Sequence, residues 1–142
     1  MTPPTHRTRI KICGLTREAD VDAAVQSGAD AVGFVLYAGS PRAVTPERAG
    51  ELARRLPAFV TPVLLFVNAD AGLIEAGVAA VPHALLQFHG DESPAQCTAA
   101  GRPFMRAARI PTGPAGKDFD LLKYVDLFPA AAAILLDAHV DG

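Results

Sequence analysis

A thiol, two guanidinium groups, a carboxamide, an imidazole and a carboxylate stand where apolar runs of this chain break off. They are Cys13, Arg42, Asn68, His89, Arg106 and Asp137. A thiol can serve as a base or nucleophile once it is a thiolate, which nearby positive charge or a helix N-terminus favours. A carboxyl group such as Asp137 can deliver a proton to a leaving oxygen. A guanidinium in a Ser-Pro-Arg loop suits a carboxylate or phosphate held bidentately. Each type also has a plain structural use. A cysteine is commonly a small buried hydrophobe, and an acid at a strand end can brace a loop. Position alone favours the structural use for Cys13, leaves Arg42 evenly balanced and tilts His89 slightly toward capping or bracing its loop. Arg106 can face either way along its strand and is assigned no role. Cys97, inside a helical stretch, reads as structural.

These residues need elements to hold them, and strands and helices alternate along the whole chain. Apolar runs predict strands at residues 9–13, 31–36, 60–67, 84–88, 104–108 and 132–136. Helix signals fill the gaps. Thr16 is the expected cap of the first helix, with Ala19, Ala23 and Ala24 on one face and Gly28 as its stop. Thr45-Pro46-Glu47 opens a second helix that should run to about Leu56. Asp70 to Ala80 forms a weaker third, Ser93-Pro94 starts a fourth that stops at Gly101, and a short one spans 118–124. The uninterrupted run from Ala31 to Leu36 suits a parallel strand buried on both faces.

A repeat of roughly 25 residues is that of a (β/α)8 barrel, eight units of which need about 200 residues. The chain has 142. It is expected to hold about six units of an incomplete barrel: residues 1–8 a flexible leader and 9–142 one domain truncated after the sixth strand. A doubly wound open sheet is the architectural rival, and in either case function collects at the C-terminal strand ends.

Composition removes several classes. The formal net charge of −2 carries no footprint for nucleic acid, and no Lys/Arg run suits a membrane surface. The longest apolar candidate, 63–81, is broken by Asn68, Asp70, Gly72, Glu75 and Gly77, so no membrane span is expected. Two cysteines make no disulfide framework, and a cytoplasmic location is expected. No glycine-rich dinucleotide fingerprint follows the first strand, and the four histidines lack metal-ligand spacing. No cofactor is expected.

Six stretches together carry a resemblance. Lys11-Ile12-Cys13-Gly14-Leu15-Thr16 and Leu86-Gln87-Phe88-His89-Gly90-Asp91-Glu92 are the specific ones. Gly28 to Val35, Ser40-Pro41-Arg42, Phe66-Val67-Asn68 and Leu135-Leu136-Asp137 accompany them in order. From residue 9 onward the chain resembles the phosphoribosylanthranilate isomerases of tryptophan biosynthesis. The resemblance implies an Amadori rearrangement of a phosphorylated small molecule, with Cys13 as general base and Asp137 as general acid. Arg42 matches a residue that holds the anthranilate carboxylate, and His89 a second substrate-binding position. It also places the phosphate site in loops after a seventh and eighth strand, beyond Gly142. Two other readings stay open: an inactive or self-associating fragment of such an enzyme, and an open-sheet domain binding a phosphorylated ligand. Oligomeric state is not legible.

Overall fold

The computed structural model describes residues 6–140. Six strands, β1 (Lys11–Cys13), β2 (Ala31–Val35), β3 (Thr61–Phe66), β4 (Leu85–Phe88), β5 (Phe104–Pro111) and β6 (Ala133–His139), form one sheet. Every neighbouring pair is parallel, and the order in space is the order in sequence. The connections carry α1 (Glu18–Gln26), α2 (Pro46–Ala53), α3 (Ala71–Ala80), α4 (Pro94–Ala99), α5 (Pro114–Lys117) and α6 (Leu121–Asp126). A doubly wound sheet reverses its strand order once. This one does not, which overturns the open-sheet alternative.

Parallel strands joined through right-handed crossovers in unbroken order carry their helices on one face and curl toward the other. The curl follows from the residues. Cys13 on β1 and Asp137 on β6 line one cleft of about 470 Å³, whereas a flat six-stranded sheet would hold those edges about 24 Å apart. Alternate side chains divide between two layers. Val32, Phe34, Leu64, Phe66, Leu86 and Phe88 point outward into the core shared with the helices. Phe88 stacks on Phe66 (centroids 6.0 Å apart) and meets Phe104 edge to face (5.8 Å). Each such buried side chain contributes about 1.5–3 kcal/mol relative to exposure.

The caps show how sequence sets the helix starts. Thr45 Oγ1 accepts from the Arg48 N–H at 3.1 Å with Pro46 in the first turn, and Asp70 accepts from the Leu73 N–H at 2.8 Å. Ser93 and Gln96 form a reciprocal capping box. Gly28 and Gly101 follow their helices with φ of 89° and 60°. The first helix departs from expectation. It starts at Glu18, with Arg17 as a cap residue whose side chain makes no capping bond, so Thr16 is not the cap. Instead the Thr16 carbonyl accepts from Arg48, which also pairs with Glu18. Its buried face is Val21 and Ala24, while Ala19 and Ala23 are exposed. The second helix ends at Ala53 and continues only as a turn to Leu56.

Of the leader expected at 1–8, residues 1–5 lie outside the described residues. Arg7 is tied to Asp30, whose carboxylate also accepts the Ile10 N–H at 2.8 Å. The Arg7 hydrogen bond, followed by that N–H, holds the Asp30 carboxyl well below the usual range.

The Arg48 hydrogen bond likewise holds Glu18 down to about 2. The folded value lies below the ordinary one, so the pair contributes stability above pH about 4.5, lost as pH falls toward about 2. Glu18→Gln is expected to flatten that part of the stability profile, read as urea midpoints across the window. Cys97 differs: burial on α4 pushes its thiol up to about 11. Thiol labelling at pH 8 is expected to modify the half-buried Cys13 in the folded chain and both cysteines once denaturant is added.

Candidate active site

Strand alternation aims one set of side chains into the concave side of the sheet. Lys11 and Cys13 of β1, Val35 of β2, Leu65 of β3, Gln87 of β4, then His89, and Leu135 and Asp137 of β6 line the cleft. Tyr37, Ser40 and Arg42 close it from the loop after β2. Its floor is apolar and its mouth carries titratable groups. A larger groove of about 550 Å³ lies outside, between α3 and α4. It is walled mainly by alanine, isoleucine and valine, and its Asp70 is engaged in capping. Chemistry therefore belongs to the smaller cleft.

Cys13 is the last residue of β1 and half-buried. The chain then turns through Gly14 at φ 81°, whose N–H donates to the Gly33 carbonyl at 2.8 Å. Arg42 explains why glycine is needed twice over. Its guanidinium lies against the Gly14 backbone, where a Cβ would collide with it, and donates to the Cys13 carbonyl at 3.1 Å. Among the described residues this guanidinium forms no ion pair, so its charge remains available to an anion. Its loop is fixed by the Arg42 N–H on Ser40 Oγ (3.1 Å) and by a bridge between Val35 and Ala43. On β2, a Cβ at Gly33 would sit 2.8 Å from the Cys13 sulfur, so glycine there keeps room around the thiol. The helix N-terminus expected to support Cys13 is not at Thr16. It begins at Glu18, with Glu18 and Asp20 in the first turn offsetting its positive end.

Asp137 is not the end of its strand. β6 runs on to His139, pairing Asp137 with Arg109 of β5 in the ladder. The Asp137 carboxylate and His89 Nε2 are 2.9 Å apart, and the other ring nitrogen meets the Gln87 amide nitrogen at 3.1 Å. Gln87, at 2% exposure, is a buried polar member of the site that hydropathy did not single out. The sequence signals for it were its place two residues before His89, on the same strand face, and its presence in the stretch from Leu86 to Glu92 that carries the resemblance.

Beneath the site lies a polar brace that faces outward. Arg106 and Glu92 are 4% and 5% exposed and pair at 3.1 Å. Arg106 also donates to the carbonyls of Phe88 (2.9 Å) and Gly90 (2.8 Å), and stands 5.0 Å over the Phe128 ring. Glu92 accepts the N–H groups of Asn68 and Gly90, each at 2.8 Å. Asn68, at φ 50°, accepts the Asp91 N–H through its side chain at 2.8 Å. A Cβ on Gly90 would fall 2.6 Å from that side-chain oxygen. Asn68 and Arg106 thus lie outside the cleft and fix the loop that carries His89.

The described residues contain no cluster of three or more His, Cys, Asp or Glu able to hold a metal, and no helix long and apolar enough to cross a membrane. The cleft as built offers a thiol, an imidazole–carboxylate pair, an ammonium and an unpaired guanidinium around an apolar floor.

Comparison with known proteins agrees with this architecture. The family model of N-(5′-phosphoribosyl)anthranilate (PRA) isomerase matches residues 10–142. The isomerase of Methylibium petroleiphilum is 64% identical over 136 residues, which is 96% of this chain and 62% of that protein. That of Leptothrix cholodnii is 60% identical over 136 residues, covering 96% and 60%. The chain therefore spans about 60% of the length of these curated relatives. The phosphoribosyl anthranilate isomerase structure from Thermus thermophilus superposes with a TM-score of 0.81 at 33% identity, over 95% of this chain and 64% of that one. Another, solved in complex with reduced 1-(o-carboxyphenylamino)-1-deoxyribulose 5-phosphate, gives 0.77 at 34% identity, over 94% and 66%. Sequential parallel strands and matches over nearly the whole of its length show that this chain belongs to the N-(5′-phosphoribosyl)anthranilate isomerase family.

Proposed function

We propose that the chain forms the acid–base part of a cytoplasmic enzyme of tryptophan biosynthesis. The reaction is the Amadori rearrangement of N-(5′-phosphoribosyl)anthranilate to 1-(2-carboxyphenylamino)-1-deoxyribulose 5-phosphate. The observation that carries this reading is the shared cleft: a thiol from β1 and a carboxylate from β6, with the Arg42 guanidinium beside them.

The steps follow from the groups. Asp137 gives its proton to the furanose ring oxygen, and the C1′–O bond breaks to leave an iminium at C1′. The iminium acidifies C2′–H, and the Cys13 thiolate removes that proton as the electron pair moves toward nitrogen. Ketonisation of the resulting enol returns a proton to C1′ and releases one from the C2′ hydroxyl, which resets acid and base. Arg42 takes the anthranilate carboxylate, for which a guanidinium without a carboxylate partner is suited. His89 holds Asp137 at the substrate.

The test is turnover followed by anthranilate fluorescence, which no tryptophan of this chain obscures. It is run on the 142-residue chain alone and on the chain joined to the remaining part of the Methylibium petroleiphilum relative. Turnover by the joined protein is expected, and its absence in a folded joined protein overturns the reading. Turnover only when joined, with self-association of the short chain on sizing, identifies the short chain as an inactive fragment.

A further inference from the structure

The acid assigned to Asp137 rests on the reading above, and it leaves open which nitrogen of His89 carries the proton. The neighbours decide this. With the catalytic proton on Oδ1, Asp137 Oδ2 is an acceptor only, so the 2.9 Å contact calls for a proton on His89 Nε2. A neutral imidazole with a proton on Nε2 presents a bare lone pair at Nδ1. Facing that lone pair at 3.1 Å is the Gln87 amide nitrogen, a donor. The amide pays for this orientation: its Oε1 is buried with no hydrogen-bond partner in a side chain only 2% exposed. A glutamine free to choose would satisfy its buried oxygen. Turned round, it would accept from Nδ1–H and would pull the imidazole proton away from Asp137.

We propose that Gln87 is a positioning residue for the acid. Its amide fixes His89 as the Nε2–H tautomer, which engages Asp137 Oδ2 and leaves Oδ1 as the oxygen that carries and delivers the catalytic proton. Gln87 does not touch the reacting atoms. It acts through His89, in the way that outer groups orient a catalytic imidazole elsewhere. Because Oε1 is unpartnered, removal of the amide should not weaken the fold.

The experiment is long-range ¹⁵N–¹H correlation of the imidazoles in the 142-residue chain, with His89 assigned by its loss in His89→Asn, combined with kinetics of Gln87→Met in the joined protein. The unaltered chain is expected to show His89 protonated at Nε2 and bare at Nδ1. Gln87→Met is expected to show mixed tautomers and about a tenfold lower kcat, the scale of one hydrogen bond, with KM and Tm unchanged. A proton found on Nδ1 of the unaltered chain overturns the proposal. So does a Gln87→Met variant that keeps the original tautomer, whether its kcat is normal or has fallen together with Tm. Failure of the acid assignment shows separately, as normal turnover in Asp137→Asn, while the spectrum alone decides the tautomer.

Discussion

Asp137→Asn is expected to lower kcat by about 10²–10⁴-fold, the range that a positioned general acid contributes. Asparagine keeps the shape of the side chain and can still accept the His89 Nε2–H that now meets Asp137 at 2.9 Å. The strand register is also unaffected, because Asp137 pairs with Arg109 through the backbone of β5 and β6. What asparagine lacks is a proton to give to the ring oxygen. Cys13→Ala should cause a loss of the same size by removing the base, whereas its smaller side chain leaves Gly33 and Arg42 in place. The carboxylate contact proposed for Arg42 is untouched in both, so the deficit should fall on kcat rather than KM. Steady-state kinetics with a thermal melt of each variant is the measurement. Near-normal rates in a folded Asp137→Asn or Cys13→Ala protein would remove that residue from the mechanism.

The second large effect is on stability. Glu92→Ala is expected to destabilise the fold by about 3–5 kcal/mol, the usual result of removing one partner of a buried ion pair. Three groups are affected together: Arg106 loses its carboxylate partner, and the N–H groups of Asn68 and Gly90 lose their acceptor. Arg106 is 4% exposed and cannot recover its solvation by moving. The double change Glu92→Leu with Arg106→Met should return part of the loss by removing the stranded charge. It cannot return all of it, because the two backbone N–H groups remain unsatisfied. Urea unfolding of Glu92→Leu, Arg106→Met and the double variant supplies the cycle, with Glu92→Ala measured beside them.

Much of this arrangement was legible in the residues, for reasons that also mark where reading stops. Apolar runs located all six strands, because parallel strands covered on both faces leave little polar alternation. The same rule cut β5 and β6 short. Arg109 and Asp137 are polar because they face the mouth of the sheet, and a hydropathy reading takes such residues for loop. The Thr45 and Ser93 caps were readable from local bonding chemistry. Thr16 was not, because its carbonyl is claimed by Arg48 from another helix, a contact that no local pattern encodes. Cys13, Arg42, His89 and Asp137 were singled out by type and place, and the cleft brings them together. Their number and order could not reveal Gln87, a neutral residue inside a strand. Nor could they show that Arg106 points away from the site, since the direction of a strand residue is set by register.

The agreement between strand order and chain order bears on how the molecule is made. Each strand hydrogen-bonds to the one synthesised just before it. The paired residues range from Leu86 and Phe104, eighteen apart, to Ala31 and Thr61, thirty apart. Contacts this local carry a small loop-closure entropy, and rates of folding rise as contacts become more local. A nascent chain leaving the ribosome therefore always presents a new strand to an edge that already exists. Among the six described strands the sheet can grow in one direction, by accretion, each new strand joining the edge left by the last.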